Sequence, residues 1–195
     1  IVVFSLLSKL AQTLREGTMV CCRVLVLLTS VLATAAAACA NVFTLFRKSD
    51  GSKRYEQTLW FTRKNVGIGR KKMVKDSPCD QYKLFFQISE GATVGGAFVG
   101  FIVLIVAIVQ LFVIYRSSSI RCGIFTLSFI AFAACGACVG LLMYGYMQGY
   151  CQNNLLLSNS YAPFKDSGYE FAEGFYLICA ACGLFLFCSL FQCCA

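Results

Sequence analysis

Histidine is absent from all 195 residues. That removes Ser-His-Asp and Cys-His nucleophilic sites and imidazole metal ligation together. Charge is scarce as well: 13% of the residues are Asp, Glu, Lys or Arg, against about 25% in a soluble domain. With 58% hydrophobic residues and a mean hydropathy of +0.72, there is too little polar surface to cover a globule in water. Neither proline, Pro78 or Pro163, interrupts an apolar stretch. Glu90, Glu170 and Glu173 stand only at the edges of such stretches, so no acidic relay crosses one. No Gly-rich phosphate loop and no carboxylate pair at catalytic spacing occurs. The expectation is a protein that is not an enzyme and uses no cofactor.

What is present is four long charge-free runs. Val24 to Phe46 is 23 residues, Gly91 to Tyr115 is 25, and Gly174 to Ala195 is 22. Cys122 to Phe164 is also uncharged, with an apolar part that reaches about Tyr146. About 20 apolar residues suffice for a helix to cross a hydrocarbon core of about 30 Å, and lipid leaves the backbone no partner outside a helix or a closed barrel. The fold class is therefore an all-α membrane protein, a four-transmembrane-helix bundle with a small β-containing first loop. The spans are placed at about 20–46, 91–115, 122–147 and 169–193, with loops at 47–90 and 148–168. Residues 19–195 form the four-span membrane domain. Met19 is a candidate start, which makes residues 1–18 an N-terminal extension or a surface-lying helix. The short turn from Arg116 to Arg121 makes spans two and three antiparallel neighbours.

Small residues recur at four-residue spacing. Gly91/Gly95 and Gly96/Gly100 lie in span two, Ala133/Ala137 and Gly136/Gly140 in span three. Such pairs let helix backbones approach closely, and packing inside the bundle is the expected use, with self-association the other. The first loop holds 11 of the 17 Lys and Arg against five acids, including the Arg63-Lys64 pair and the Arg70-Lys71-Lys72 cluster. Two of its segments, Tyr55 to Thr62 and Gln81 to Ile88, are rich in the aromatic and β-branched residues of strands.

Cysteines argue about orientation. Cys21, Cys22, Cys122, Cys193 and Cys194 cluster at the membrane edges on the terminal side, where cytoplasmic S-acylation acts. Cys79 and Cys151 stand one in each loop, as a disulfide in an oxidising space would need. Basic residues argue the reverse, because Lys and Arg usually mark cytoplasmic loops and the loop side has twelve against five. The two signals disagree; loops outside and both termini cytoplasmic is the expectation, resting in part on the family resemblance that follows. Neither loop has an N-x-Ser/Thr sequon. Two CxxC pairs, Cys135/Cys138 and Cys179/Cys182, have four-cysteine spacing, but thiols among Ala, Phe and Gly in apolar helices behave as small hydrophobes. No metal site is expected.

Thr58-Leu59-Trp60, followed by Arg63 and Asn65, lies about a dozen residues after span one. It resembles the signature of the amastins, tetraspan surface proteins of trypanosomatid parasites. That signature runs Cys, apolar, Thr/Ser, Leu/Phe, Trp/Phe, Gly, any, basic, any, Asp/Glu/Asn/Thr, Cys. The layout is similar too, and is shared with claudins: a long first loop, a short turn between spans two and three, and small termini. In this chain the signature's cysteines fall on Glu56 and Val66, its apolar position on Gln57 and its Gly on Phe61. A disulfide within the motif is therefore impossible: either Cys79 with Cys151 replaces it, or the loop is that of a divergent member.

The resemblance implies a plasma-membrane surface protein without catalytic activity, engaged in host–parasite contact or membrane organisation. Its expected partners are the lipid bilayer, other membrane proteins or a second copy, and a host-cell surface or anionic lipid, but not nucleic acid. The alternative is a small channel or transporter through the bundle, for which the spans offer little beyond Ser, Thr, Gln110 and the Tyr144/Tyr146 pair.

Overall fold

The computed structural model describes residues 2–51, 53–64, 71–112, 118–153 and 155–194. Four long helices dominate: α1 (Val2–Ala40), α2 (Asp80–Phe112), α3 (Ser118–Gln148) and α5 (Glu173–Cys194); α4 (Leu155–Ser158) is a single turn. Each long helix holds a segment long and apolar enough to cross a membrane, that of α1 being Cys21–Ala40. α1 packs against α2 and α5, and α3 against the same two, which closes a ring. Neighbours run antiparallel. Arg23 of α1 lies by Gln110 of α2 and Phe85 of α2 by Tyr144 of α3, while Ser128 of α3 donates to Cys188 of α5. Both ends of the chain are thus on one side and both loops on the other.

The glycines divide by helix face. A Cβ at Gly100 would stand 2.6 Å from a ring carbon of Phe185 and 2.9 Å from Thr34 Oγ1, and one at Gly96 would stand 3.2 Å from Cys135 Sγ. These two carry the close approach of α2 to its neighbours. Gly136 is in loose contact, at 3.8 Å from Cys182 Sγ, whereas Gly91, Gly95 and Gly140 have nothing within 4 Å. Packing inside the bundle therefore does not extend to those three. Five residues at about 100° each turn Gly91 well away from the face that Gly96 occupies, which four-residue spacing alone does not reveal. Ala133 and Ala137 are likewise exposed.

Over the loop side lies a five-stranded sheet in the order β4-β3-β2-β1-β5, antiparallel at every pairing. Its strands are β1 (Phe46–Asp50), β2 (Lys53–Gln57), β3 (Phe61–Lys64), β4 (Lys71–Met73) and β5 (Glu170–Phe171). β5 comes from the second loop, so the two loops build one cap. Gly51, at φ 57°, makes the tight turn between β1 and β2.

Four expectations are corrected. Span one, placed to residue 46, ends at Ala40. There Asn41 Nδ2 donates to the Ala37 carbonyl at 2.9 Å, capping the helix, and Leu45 N donates to Gln57 O at 2.8 Å, drawing the chain into the sheet. Span four, placed from 169, begins as helix at Glu173, because residues 170–171 pair with β1. Gln81 to Ile88 is not a strand but the start of α2. Its buried residues are Tyr82, Phe86 and Ser89, the three- and four-residue spacing of a helix face. The helix is about 50 Å long at 1.5 Å per residue, so it projects beyond a hydrocarbon core of about 30 Å and supports the cap. Tyr55 to Thr62, read as one strand, is two strands joined by a turn at residues 58–60.

Candidate functional site

The signature residues form a clasp. Thr58 N and its hydroxyl both donate to Phe61 O at 3.0 Å, and the same hydroxyl oxygen accepts from Trp60 N at 3.3 Å and Phe61 N at 3.1 Å. One short polar side chain thus closes the β2–β3 turn, a use to which Thr is suited. Leu59 is fully buried, in the same core cluster as Leu45, Phe46 and Val74. Trp60 leaves its ring 42% exposed, while its indole N–H donates to Asn41 O at 3.0 Å. Its backbone carbonyl accepts from Val74 N. The motif fastens the sheet to the end of α1. Arg63 lies further along β3 with its guanidinium 5.5 Å from the Phe61 ring centroid. Asn65, and with it Val66 and Arg70, lies outside the described residues, as does Arg116 of the short turn.

The second loop is fixed by several bonds. Cys79 and Cys151 are joined in a disulfide with their Cα atoms 6.2 Å apart. Cys151 N donates to Gln81 Oε1 at 2.8 Å, and Tyr150 N and Gln152 Nε2 both donate to Tyr161 O at 2.9 Å. Tyr161 and Ser77 share a hydroxyl hydrogen bond. Gly149, at φ 69°, lies where a Cβ would meet Tyr161 O and Pro163 N at 2.7 Å, so only glycine fits that turn.

Between this loop and the sheet lies a cavity of about 140 Å³. The sheet contributes Gln57 and Thr62, α2 contributes Tyr82, and the second loop contributes Tyr150, Tyr161 and Tyr169. Gln57 stands where the signature has an apolar residue, and it is only 2% exposed. The polar group is compensated: its Nε2 donates to Thr58 O at 2.7 Å and its Oε1 accepts from the Thr62 hydroxyl. Burial, then the Tyr82 and Tyr144 hydroxyls, pushes Tyr150 above the usual phenol range. Tyr169 is raised for the same first reason, then by Tyr55. Tyr150 and Tyr169 therefore stay neutral and able to donate. Sequence reading passed over this tyrosine cage; the density of tyrosine in both loops was the available signal.

Strand register sorts the charges. Across the outer face run Glu170, Arg47, Glu56 and Arg63 in one cross-strand row. Arg47 donates to both Glu173 carboxylate oxygens at 3.0 Å, and Glu56 lies 3.9 Å from Arg47 and 3.3 Å from Arg54. On the inner face, Phe46, Gln57, Thr62 and Lys72 share one row, and Lys48, Tyr55 and Lys64 the next.

On the terminal side, Cys21, Cys122 and Cys193 are exposed thiols and Cys22 is a half-buried one, none of them in a disulfide; the side chain of Cys194 is outside the described residues. Cys122 and Cys193 line one shallow opening with Arg121, Phe125 and Gln192. Within the bundle, Cys135 and Cys138 are buried and Cys179 and Cys182 half-buried. Among the described residues, no three His, Cys, Asp or Glu side chains converge as a metal site would require.

A family model described as "Amastin surface glycoprotein" matches residues 31–191, from within the first span to near the end of the last. Among curated proteins none matches the chain.

Proposed function

This chain belongs to the amastin family of surface glycoproteins, and from that premise we propose a non-enzymatic plasma-membrane tetraspan whose cap makes contacts outside the cell. Both loops face outward and both termini are cytoplasmic. The cap engages lipid, neighbouring membrane proteins or host molecules, and the bundle serves as its scaffold.

The observation that carries this reading is the disulfide between Cys79 and Cys151. It joins the two loops on one side of the bundle, and such bonds persist in oxidising spaces. The thiols of Cys21, Cys22, Cys122 and Cys193, none of them in a disulfide, lie at the opposite side, as suits a reducing compartment and S-acylation. The excess of Lys and Arg in the first loop argues the other way. Part of that excess is offset where Arg47 and Arg54 pair with Glu56 and Glu173. The bundle interior is filled mainly by residues such as Val103, Ala131, Cys138 and Phe185, with Ser30, Thr93, Ser128 and the pair of Gln110 and Gln192 as buried polar groups, which favours a scaffold over a channel.

Thiol labelling of cells with an impermeant reagent tests the topology. Labelling of Cys79 and Cys151 in intact cells, appearing only after reduction, is the expected result. Labelling that requires permeabilisation overturns the orientation.

A further inference from the structure

We propose that the cavity between the inner face of the sheet and the second loop binds the terminal acidic sugar of a glycan, a ring of hexuronate size. The proposal rests on the outward-facing reading for its biological setting only, since the site's chemistry is independent of orientation.

Three observations converge. The first is size. At about 140 Å³ the cavity is smaller than the about 300–1,000 Å³ of drug-sized sites. It has room for one ring and not for a chain, so the ligand is the end of something larger.

The second is the lining. Its polar atoms are hydroxyls and an amide, set among aromatic rings: Tyr82, Tyr161 and Phe164 beside Gln57 and Thr62. The back wall is already satisfied. Gln57 and Thr62 bond each other, and Tyr161 bonds Ser77. The hydroxyls of Ser160, Ser167 and Tyr169, which line the same cavity, have no hydrogen-bond partner among the described residues. Unbonded hydroxyls set between flat aromatic walls suit a ring that carries hydroxyls around its edge and C–H groups on its faces. A wall held by the disulfide needs little ordering on binding, which favours affinity.

The third is charge. Register places Lys48, Lys64 and Lys72 on the cavity's face of the sheet. Lys48 reaches over the second loop, with its Cε 3.8 Å from where a Cβ on Gly168 would stand. Lys64 Nζ lies 5.6 Å from the centroid of the Tyr55 ring. Register puts Glu56 and Glu170 on the other face. Asp50 is the inner face's acid among the described strands, and it sits at the hairpin end opposite Lys53. The cavity lining carries no charged group, so the charge recognised is at the rim, where a carboxylate outside the ring would lie. Like-signed charge around a cleft raises the local concentration of an anionic ligand.

The test uses the full chain in lipid nanodiscs, with glucuronic acid, glucose and sodium sulfate as probes at matched ionic strength, read by saturation-transfer NMR. Glucuronate is expected to saturate, with glucose weaker by about fivefold or more, roughly 1 kcal/mol of rim charge. Ser167→Phe, which fills the cavity, should weaken glucuronate by about tenfold or more. Ser160→Tyr fills it from another point on the loop and serves if the first variant misfolds, as judged by its melting transition. Lys48→Gln with Lys64→Gln should bring glucuronate down to the level of glucose and leave glucose unchanged. The proposal is overturned if folded wild-type protein shows no saturable glucuronate signal or if the filled cavity binds as before. Sulfate competing as well as glucuronate would also overturn it, by revealing a simple anion patch. Nanodiscs expose both sides of the protein, so binding there with inward loops in cells would sink the topology and leave the site standing.

Discussion

The two faces of the five-stranded sheet are made from alternate residues of the same strands, yet they treat charge in opposite ways. On the outer face each strand from β5 to β3 sets an acid against a base, and Arg47 spans to Glu173 at the start of α5. On the inner face, Phe46 and Gln57 are buried, while beyond them Lys48 and Lys64 flank Tyr55, with Lys64 Nζ over its ring. Cross-strand neighbours of opposite sign stabilise a sheet modestly and those of like sign oppose it. On the inner face Lys48 and Lys64 flank Tyr55 rather than an acid, whereas Arg47 on the outer face lies between Glu56 and Glu170. That difference is what the anion site proposed on the inner face would use.

The contrast can be attacked one residue at a time. Phe46→Ala should have the largest effect, about 3–5 kcal/mol for a fully buried aromatic, since Phe46 stacks on Phe164 at 4.7 Å and lies near Phe171 and Phe175. Its melting midpoint in nanodiscs should fall furthest of all the variants here. Removing the bond between Cys79 and Cys151 by paired Ser substitution should cost about 2–5 kcal/mol, since the bridge spans 72 residues. Reduction of the wild type should reproduce most of that loss in the same assay. Trp60→Phe keeps an aromatic ring, though a smaller one, and loses the donor to Asn41 O, a bond worth about 1 kcal/mol in the same melting assay. Arg47→Gln on the outer face should cost under about 1 kcal/mol, because the pair with Glu173 is partly solvated and screened. The difference from wild type should shrink further at high salt; a loss comparable to that of Phe46→Ala would show that the outer face is more than a set of surface pairs. Lys64→Gln should change stability least, within about 0.5 kcal/mol, although its removal lowers the charge at the inner rim.

Much of the architecture was legible because lipid imposes a simple rule. Long charge-free runs must be helices, and four of them appear where composition places them. The cap was harder to read. Gln81 to Ile88 has the aromatic content of a strand, but its buried residues follow a helical period once α2 extends past the membrane. Phe46 to Asp50 lay hidden at the end of an apolar run, and the Asp50-Gly51 step that turns β1 into β2 was its local signal. Of the signature residues, sequence indicated where to look but not what they do. Thr58 closes a turn, Leu59 fills the core and Trp60 ties the sheet to Asn41.

By itself the sequence determined how many times this chain crosses a membrane, that histidine chemistry is absent, and which two cysteines stand apart in the loops. Those are properties of composition and order, and burial in lipid reads them directly. Tertiary structure alone decided which glycines pack, how the second loop supplies a fifth strand, and that Gln57, Thr62 and four tyrosines from three separate elements enclose one cavity. Those depend on register and helix phase, where a shift of one residue sends every side chain to the other face, and no local pattern in the sequence carries that information across the 72 residues that separate Cys79 from Cys151.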